Sequence, residues 1–170
     1  NSPSVSINGE RLLDRIAELA QIGEIEGTKG CSRLAFTDGD RDGRDLVVTW
    51  MRDLGLTVTI DAVGNVVAST NSDGASGAVM AGSHIDTVGT GGRYDGNLGV
   101  LAGLEVIEAT LAAGIELARP LAVAFFSNEE GSRYPPDMMG SLAYVGGMSV
   151  EAVLEVEGSD GTVVGEELDR

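Results

Sequence analysis

The order of apolar and polar segments between residues 78 and 126 most constrains the fold. A short apolar run at 78–82 leads into a glycine-rich polar loop, then a longer apolar segment at 98–113, then a second short run at 121–126. Short apolar runs bounded by turn residues indicate buried strands, and the longer segment indicates a buried helix. Strands separated by a helix usually lie parallel in one sheet. We therefore predict a three-layer α/β fold, with a mixed, largely parallel sheet and helices on both faces.

The remaining segments add helices and a hairpin. Residues 8–22 predict an amphipathic helix that begins after Asn8 and ends before Gly23, and residues 38–54 predict a second helix capped by Thr37 or Asp38. A change to period two predicts a hairpin at 57–67, and residues 149–155 predict a short capped helix. Residues 157–170 give no clear pattern. The apolar face expected for the first helix is Leu12, Leu13, Ile16, Leu19 and Ala20.

Polar residues follow both buried strands at the end where each strand finishes. His84, Asp86 and Asp95 follow the first strand, and Glu129 and Glu130 follow the last. Sites in α/β sheets form beyond the carboxyl ends of the strands. A hydrolytic metal needs nitrogen or carboxylate ligands, an open position for water and a nearby base. His84, Asp95 and Glu130 are candidate ligands, Glu129 is a candidate base, and Asp86 is placed to orient the imidazole.

Each of these residues has an ordinary structural interpretation when taken alone. A single histidine near a strand end is more often a hydrogen-bonded structural residue than a ligand. The Asp95-Gly96 pair is typical of a turn, and the pair Glu129-Glu130 before a glycine is typical of a solvated loop. Their joint placement after two apolar strands favours a metal site.

Composition limits the partners of the chain. It has 27 acidic and 11 basic residues and a formal net charge of -16, which disfavours nucleic acid and anionic membranes as partners. Cys31 is the single cysteine, so no intrachain disulfide can form, and the apolar runs are too short to cross a bilayer. We expect a soluble, cytoplasmic protein.

Three stretches resemble a known family: residues 82–88 (Gly-Ser-His-Ile-Asp-Thr-Val), 91–96 (Gly-Gly-Arg-Tyr-Asp-Gly) and 126–134 (Phe-Ser-Asn-Glu-Glu-Gly-Ser-Arg-Tyr). They are similar to the dinuclear metal-dependent amidohydrolases that include N-carbamoyl-L-amino-acid hydrolase, β-ureidopropionase and allantoate amidohydrolase. That family belongs to the wider aminoacylase and carboxypeptidase-like metallopeptidase group. The resemblance runs from residue 8 to residue 141 and so covers most of the chain.

The resemblance implies a role for each candidate residue. His84 would bind one metal ion, Asp95 would bridge two ions, and Glu130 would bind the other. Glu129 would be the general base and Asp86 would orient His84. The family implies two divalent ions, of zinc, manganese, nickel or cobalt, and attack of a metal-bound hydroxide on a ureido or amide carbonyl. It also implies a homodimeric parent protein.

The chain departs from the family pattern in its histidines. Family members carry a further histidine in a Glu-Leu-His-Ile-Glu-Gln motif and another near the C-terminus, whereas this sequence contains one histidine. We therefore expect residues 1–170 to be part of a catalytic domain, without its C-terminal part and without the lid or dimerisation domain. Two alternatives stay open: an inactive fragment that binds no metal tightly, and an aminoacylase or peptidase of the same group.

Overall fold

The structure, a computed structural model, describes residues 4–170. Its helices are α1 (Gly9–Leu19), α2 (Asp38–Asp53), α3 (Asn97–Ala112), α4 (Met139–Tyr144), α5 (Val150–Leu154) and α6 (Val164–Leu168). Its strands are β1 (Gly30–Cys31), β2 (Thr57–Ile60), β3 (Val66–Ser69), β4 (Val79–Ser83), β5 (Gly91–Gly92) and β6 (Leu121–Phe125). No helix within the described residues is both long and apolar enough to cross a bilayer.

Side-chain caps begin the helices that the sequence predicts. The Asn8 side chain accepts a hydrogen bond from the Arg11 amide at 3.0 Å, and the Thr37 hydroxyl accepts one from the Asp40 amide at 3.3 Å. These bonds satisfy amide groups that have no partner inside the helix. The predicted burial of Leu13 is wrong, because its side chain lies on the outer face of α1 and is 56% exposed.

The main sheet has the strand order β2-β3-β6-β4. β2 pairs antiparallel with β3 as the predicted hairpin, β3 pairs antiparallel with β6, and β4 pairs parallel with β6. The predicted mixed α/β class is therefore confirmed. The expectation of a largely parallel sheet is wrong for the described strands, because only β4 and β6 pair in parallel: the tight hairpin makes β3 antiparallel to β2, and β3 also pairs antiparallel with β6.

The main hydrophobic core lies between one face of this sheet and helices α1, α2 and α3. Side chains alternate along β6, so Val123 and Phe125 enter this core while Ala122 and Ala124 point to the opposite face. The prediction of helices on both faces needs correction, because the three long helices share one face. On the second face, Ala75 and Ala78 of the loop before β4 pack against the strand residues, and the Tyr144 ring of short α4 meets Phe126 edge-on.

The parallel pair β4 and β6 positions the polar loops. Ser83 at the end of β4 lies opposite Phe125 at the end of β6. The loops that begin at residues 84 and 126 therefore leave the same edge of the sheet side by side. A second, smaller core joins the β6 loop to α4, α5 and α6; its members include Val63, Tyr134, Met139, Val153 and Val164.

Candidate metal centre

The structure brings together the three residues that the sequence predicts as ligands. One ligand atom from each of His84, Asp95 and Glu130 lies within 4.8 Å of the other two. His84 is buried, Glu130 is half-buried and Asp95 is exposed. The cluster is therefore closed on the protein side and open to solvent on the side of Asp95.

Main-chain contacts fix the orientation of the His84 ring. Its Nδ1 lies 2.9 Å from the main-chain oxygen of Asp86, and a carbonyl oxygen can only accept, so Nδ1 carries the proton. In the neutral ring, Nε2 then keeps its lone pair for a metal ion. Nε2 lies 3.2 Å from Oε2 of Glu129, which places the predicted base directly beside the predicted ligand.

Asp86 contacts His84 differently from the sequence-based expectation. Its carboxylate lies 3.7 Å from Nδ1, farther than its own main-chain oxygen. The two carboxylate oxygens instead accept hydrogen bonds from the amides of Glu129 and Glu130, both at 3.2 Å. Asp86 thus ties the loop after β4 to the loop after β6. Burial raises the pKa of Asp86 to about 6, and the charge of Asp40 acts in the same direction.

The charges around Glu130 are those of a site that suits a cation. Burial raises the pKa of the Glu130 carboxyl, and the nearby charges of Asp95 and Glu129 raise it further, against the influence of His84. Carboxylates held close together around one imidazole repel each other unless a positive charge lies among them. Imidazole nitrogen and carboxylate oxygen are ordinary ligands of zinc and related divalent ions. The donor set therefore fits a divalent metal.

Gly96 allows the Asp95 loop to approach the imidazole closely. Its backbone is left-handed, with φ +63°, and a Cβ built at this position would lie 2.5 Å from the Cε1 and Nε2 atoms of His84. Any side chain here would collide with the ring. The sequence indicated a turn at Asp95-Gly96 but not this contact, which depends on how two loops meet in space.

Sequence reasoning missed two buried residues behind the ligands, Arg33 and Asn97. Arg33 donates hydrogen bonds to the main-chain oxygen of Ile85 and to the side-chain oxygen of Asn97. Neither residue has a distinctive spacing, since arginine is common on loops and asparagine is common at helix starts. The signal that identifies them is their burial, which the sequence pattern did not reveal.

A histidine and carboxylates delivered from parallel strand ends are typical of metal-dependent hydrolases. Residues 80–168 match Peptidase family M20/M25/M40. The chain belongs to this family, which confirms the wider group inferred from the sequence motifs.

Individual relatives agree with the sequence-based resemblance. The chain is 41% identical over 163 residues to an N-carbamoyl-L-amino acid amidohydrolase of Geobacillus stearothermophilus, covering 94% of this chain and 39% of that protein. It is 36% identical over 155 residues to a probable allantoate deiminase of rice (Oryza sativa subsp. japonica), covering 88% and 30% respectively. A crystal structure of a hydantoinase/carbamoylase family amidase from Burkholderia multivorans aligns with TM-score 0.92 and 44% identity, covering 99% of this chain and 41% of that one. The chain thus spans well under half the length of these relatives.

Proposed function

We propose that this chain is part of a metal-dependent hydrolase of linear amide C–N bonds. His84, Asp95 and Glu130 would hold the metal ions, with Asp95 bridging two of them, and Glu129 would be the general base. The observation that carries this proposal is the approach of the three ligand atoms to within 4.8 Å of one another. The names of the aligned relatives support the reaction class.

The side chains around the cluster divide the chemical work. Divalent ions held there would lower the pKa of a water molecule and polarise a carbonyl oxygen. Glu129 is partly exposed and lies beside His84, so its carboxylate can take a proton from water and return it to the leaving nitrogen. Asp86 holds the amides of both glutamates, and so keeps Glu129 and Glu130 in separate positions. Two adjacent glutamates can thus take different roles.

The proposed substrates are N-carbamoyl-L-amino acids or a related ureido compound. The Geobacillus relative is named for N-carbamoyl-L-amino acids and the rice relative for allantoate, which is also a ureido compound. The family description keeps open the hydrolysis of acylated amino acids or peptides. Turnover of N-carbamoyl against N-acetyl amino acids by a protein of the relatives' length would separate these possibilities, and preference for N-acetyl compounds would contradict the ureido proposal.

We also propose that residues 1–170 form the N-terminal part of the catalytic domain. Further ligands, the lid or dimerisation domain and the homodimer contacts would then belong to the rest of a longer, cytoplasmic protein. The support is that the chain covers 39% of the Geobacillus relative and contributes one histidine. A site with few ligands from this chain would bind zinc, manganese, nickel or cobalt weakly until the other ligands are present.

Cobalt titration of the 170-residue chain tests the metal proposal. We expect a visible Co²⁺ absorption band that disappears in His84→Ala and weakens strongly in Glu130→Ala, because each variant loses a ligand. Glu155→Gln is the matched control, since it removes an exposed carboxylate that lies at the end of α5 and outside the cluster. Because the chain alone should bind weakly, Co²⁺ is added in large excess; absence of a band from the unsubstituted chain under that excess, or equal loss in Glu155→Gln, would contradict the proposal and favour an inactive module.

A further inference from the structure

Arg33 is a fully buried cation whose guanidinium donates to four neutral oxygen atoms and, at 3.8 Å, to Sγ of Cys31. Its Nε and Nη2 donate to the main-chain oxygen of Ile85 at 3.1 and 3.0 Å, and Nη2 also donates to Oδ1 of Asn97 at 3.0 Å. Nη1 donates to the main-chain oxygens of Leu19 and Ile22 at 3.1 and 2.8 Å. The five N–H groups of the guanidinium therefore all have acceptors. Within residues 4–170, no carboxylate lies within ion-pair distance of Arg33.

Two of these acceptors belong to the segments that carry His84 and Asp95. Ile85 lies directly after His84, and its carbonyl belongs to the peptide group that joins it to Asp86. Asn97 begins α3 two residues after Asp95, and its main-chain amide donates to the main-chain oxygen of Asp95 at 2.6 Å. Arg33 therefore binds both ligand-bearing segments with one rigid, planar group.

The other contacts of Arg33 anchor this group to the core. Leu19 is the last residue of α1 and Ile22 lies in the turn that follows, where main-chain oxygens lack partners inside the helix and a cation is favourable. The main chain of Arg33 also pairs with Thr87: the Arg33 amide donates to the Thr87 hydroxyl at 2.7 Å, and the Thr87 amide donates to the Arg33 oxygen at 2.9 Å. These contacts fix the position of the guanidinium, which in turn holds the two ligand-bearing segments.

We propose that Arg33 is a positioning residue that sets the spacing between His84 and Asp95 and so the metal affinity of the cluster. Its contacts reach these residues through Ile85 and Asn97, and it touches neither predicted ligand side chain directly. This inference rests on the proposed metal-dependent function. It adds that the spacing of the ligands is set by the buried Arg33 guanidinium, which does not itself bind the metal.

The test compares Co²⁺ binding by the 170-residue chain and its variants. Arg33→Lys keeps the charge but has one nitrogen, which cannot reach Ile85, Asn97 and the end of α1 together. Asn97→Ala removes the Oδ1 acceptor of Arg33, together with the bond that the Asn97 side chain donates to the main-chain oxygen of Arg93. We expect each variant to bind Co²⁺ more weakly, with a dissociation constant raised by about 10- to 100-fold, which is the usual effect of losing an outer partner of a metal ligand. The visible band should also shift.

A core variant separates positioning from general loss of stability. Met51→Ala creates a cavity in the main core, where Met51 is fully buried, and should lower the melting temperature while leaving the Co²⁺ constant of the folded chain unchanged. If folded Arg33→Lys or Asn97→Ala has the same Co²⁺ dissociation constant and visible band as the unsubstituted chain, this inference is wrong, but the proposed function is not affected. If Arg33→Lys does not fold, Asn97→Ala decides the question. If the unsubstituted chain binds no Co²⁺ even in large excess, both the proposed function and this inference are wrong.

Discussion

Arg33 and Arg133 are both buried arginines, but Arg133 forms ion pairs with carboxylates whereas Arg33 contacts only neutral groups among the described residues. Arg133 donates to Asp160 at 2.8 Å and to Glu167 at 3.1 Å, and its guanidinium lies 5.0 Å from the centre of the Tyr134 ring. Arg33 has the neutral oxygens described above. Arg133 therefore attaches the C-terminal region, residues 157–170, through ion pairs, whereas Arg33 holds the ligand region, residues 84–97, through a network of dipoles.

The two regions differ in how much stability each should lose when its arginine is removed. Asp160 has a side chain that is 45% exposed, so water can replace Arg133 there. The Ile85 and Asn97 oxygens that Arg33 contacts are buried, and water cannot reach them without opening the site. A buried acceptor left without a donor costs more than an exposed carboxylate left without its partner. Loss of its arginine should therefore destabilise the ligand region more than the C-terminal region.

Replacing each arginine by methionine should show this difference most strongly. Arg33→Met removes a donor from each of four oxygen atoms, of which, within the described part of the chain, only that of Leu19 keeps another, from the Ile22 amide. At about 1–3 kcal/mol for each oxygen left without a donor, we expect the free energy of unfolding to fall by about 5 kcal/mol or more. Arg133→Met should lower it by about 2–3 kcal/mol, because part of its polar surroundings stays hydrated. Urea unfolding followed by circular dichroism measures both. Equal losses would remove the distinction between the two regions.

A glycine pair offers a second matched comparison. Gly96 and Gly161 both have left-handed backbones, with φ +63° and +78°, but a Cβ at Gly161 has no atom within 4 Å whereas one at Gly96 meets the His84 ring. Gly161→Ala should therefore cost about 1–2 kcal/mol of backbone strain. Gly96→Ala adds a steric clash, so we expect about 3–5 kcal/mol in the same unfolding measurement.

The Gly96 substitution should also displace His84. Chemical shifts of the His84 ring in NMR spectra would report that displacement, and Gly161→Ala should leave them unchanged. Similar stability losses for both variants, with an undisturbed His84 ring, would show that the Asp95 loop can move away from the imidazole.

Local patterns explain why much of this fold could be predicted. The starts of α1 and α2 depend on the caps Asn8 and Thr37 within a few residues of sequence. The proximity of His84, Asp95 and Glu130 follows from the parallel pairing of β4 with β6, which the apolar runs indicated. Residue type and strand order together were enough to identify these three residues as one cluster.

The rest depends on contacts that carry no sequence signal. Arg33 contacts main-chain oxygens 11, 14 and 52 residues away, and every residue has such an oxygen. The antiparallel pairing of β3 with β6 also joins distant segments. Helix α6 was not predicted because it is short, and its Glu167 is paired with Arg133 from another part of the chain. Each of these features requires the three-dimensional arrangement that it helps to stabilise.

The pH dependence of stability provides the finest comparison between the two regions. Burial raises the pKa of Asp86 to about 6, whereas hydrogen bonds from Thr162 and Arg133 lower the pKa of Asp160 below its usual range. In the folded chain Asp86 keeps its proton up to about pH 6, while in the unfolded chain it loses it near pH 4. Its contribution to stability is therefore complete below about pH 4 and is lost as the pH rises through 6. Asp160 has the opposite sign, because its contribution is present above about pH 4 and is lost as the pH falls further.

Urea unfolding in EDTA between pH 4 and pH 7 isolates the Asp86 effect from metal binding. The shift corresponds to a fall of about 3 kcal/mol in the free energy of unfolding over this range, and Asp86→Asn should remove most of that slope. Asp160→Asn should leave the slope above pH 5 unchanged, because the folded and unfolded chains both keep Asp160 ionised there. A slope that survives Asp86→Asn would mean that another buried carboxyl, with Asp40 the first candidate because burial also raises its pKa, controls the acid stability of the ligand region.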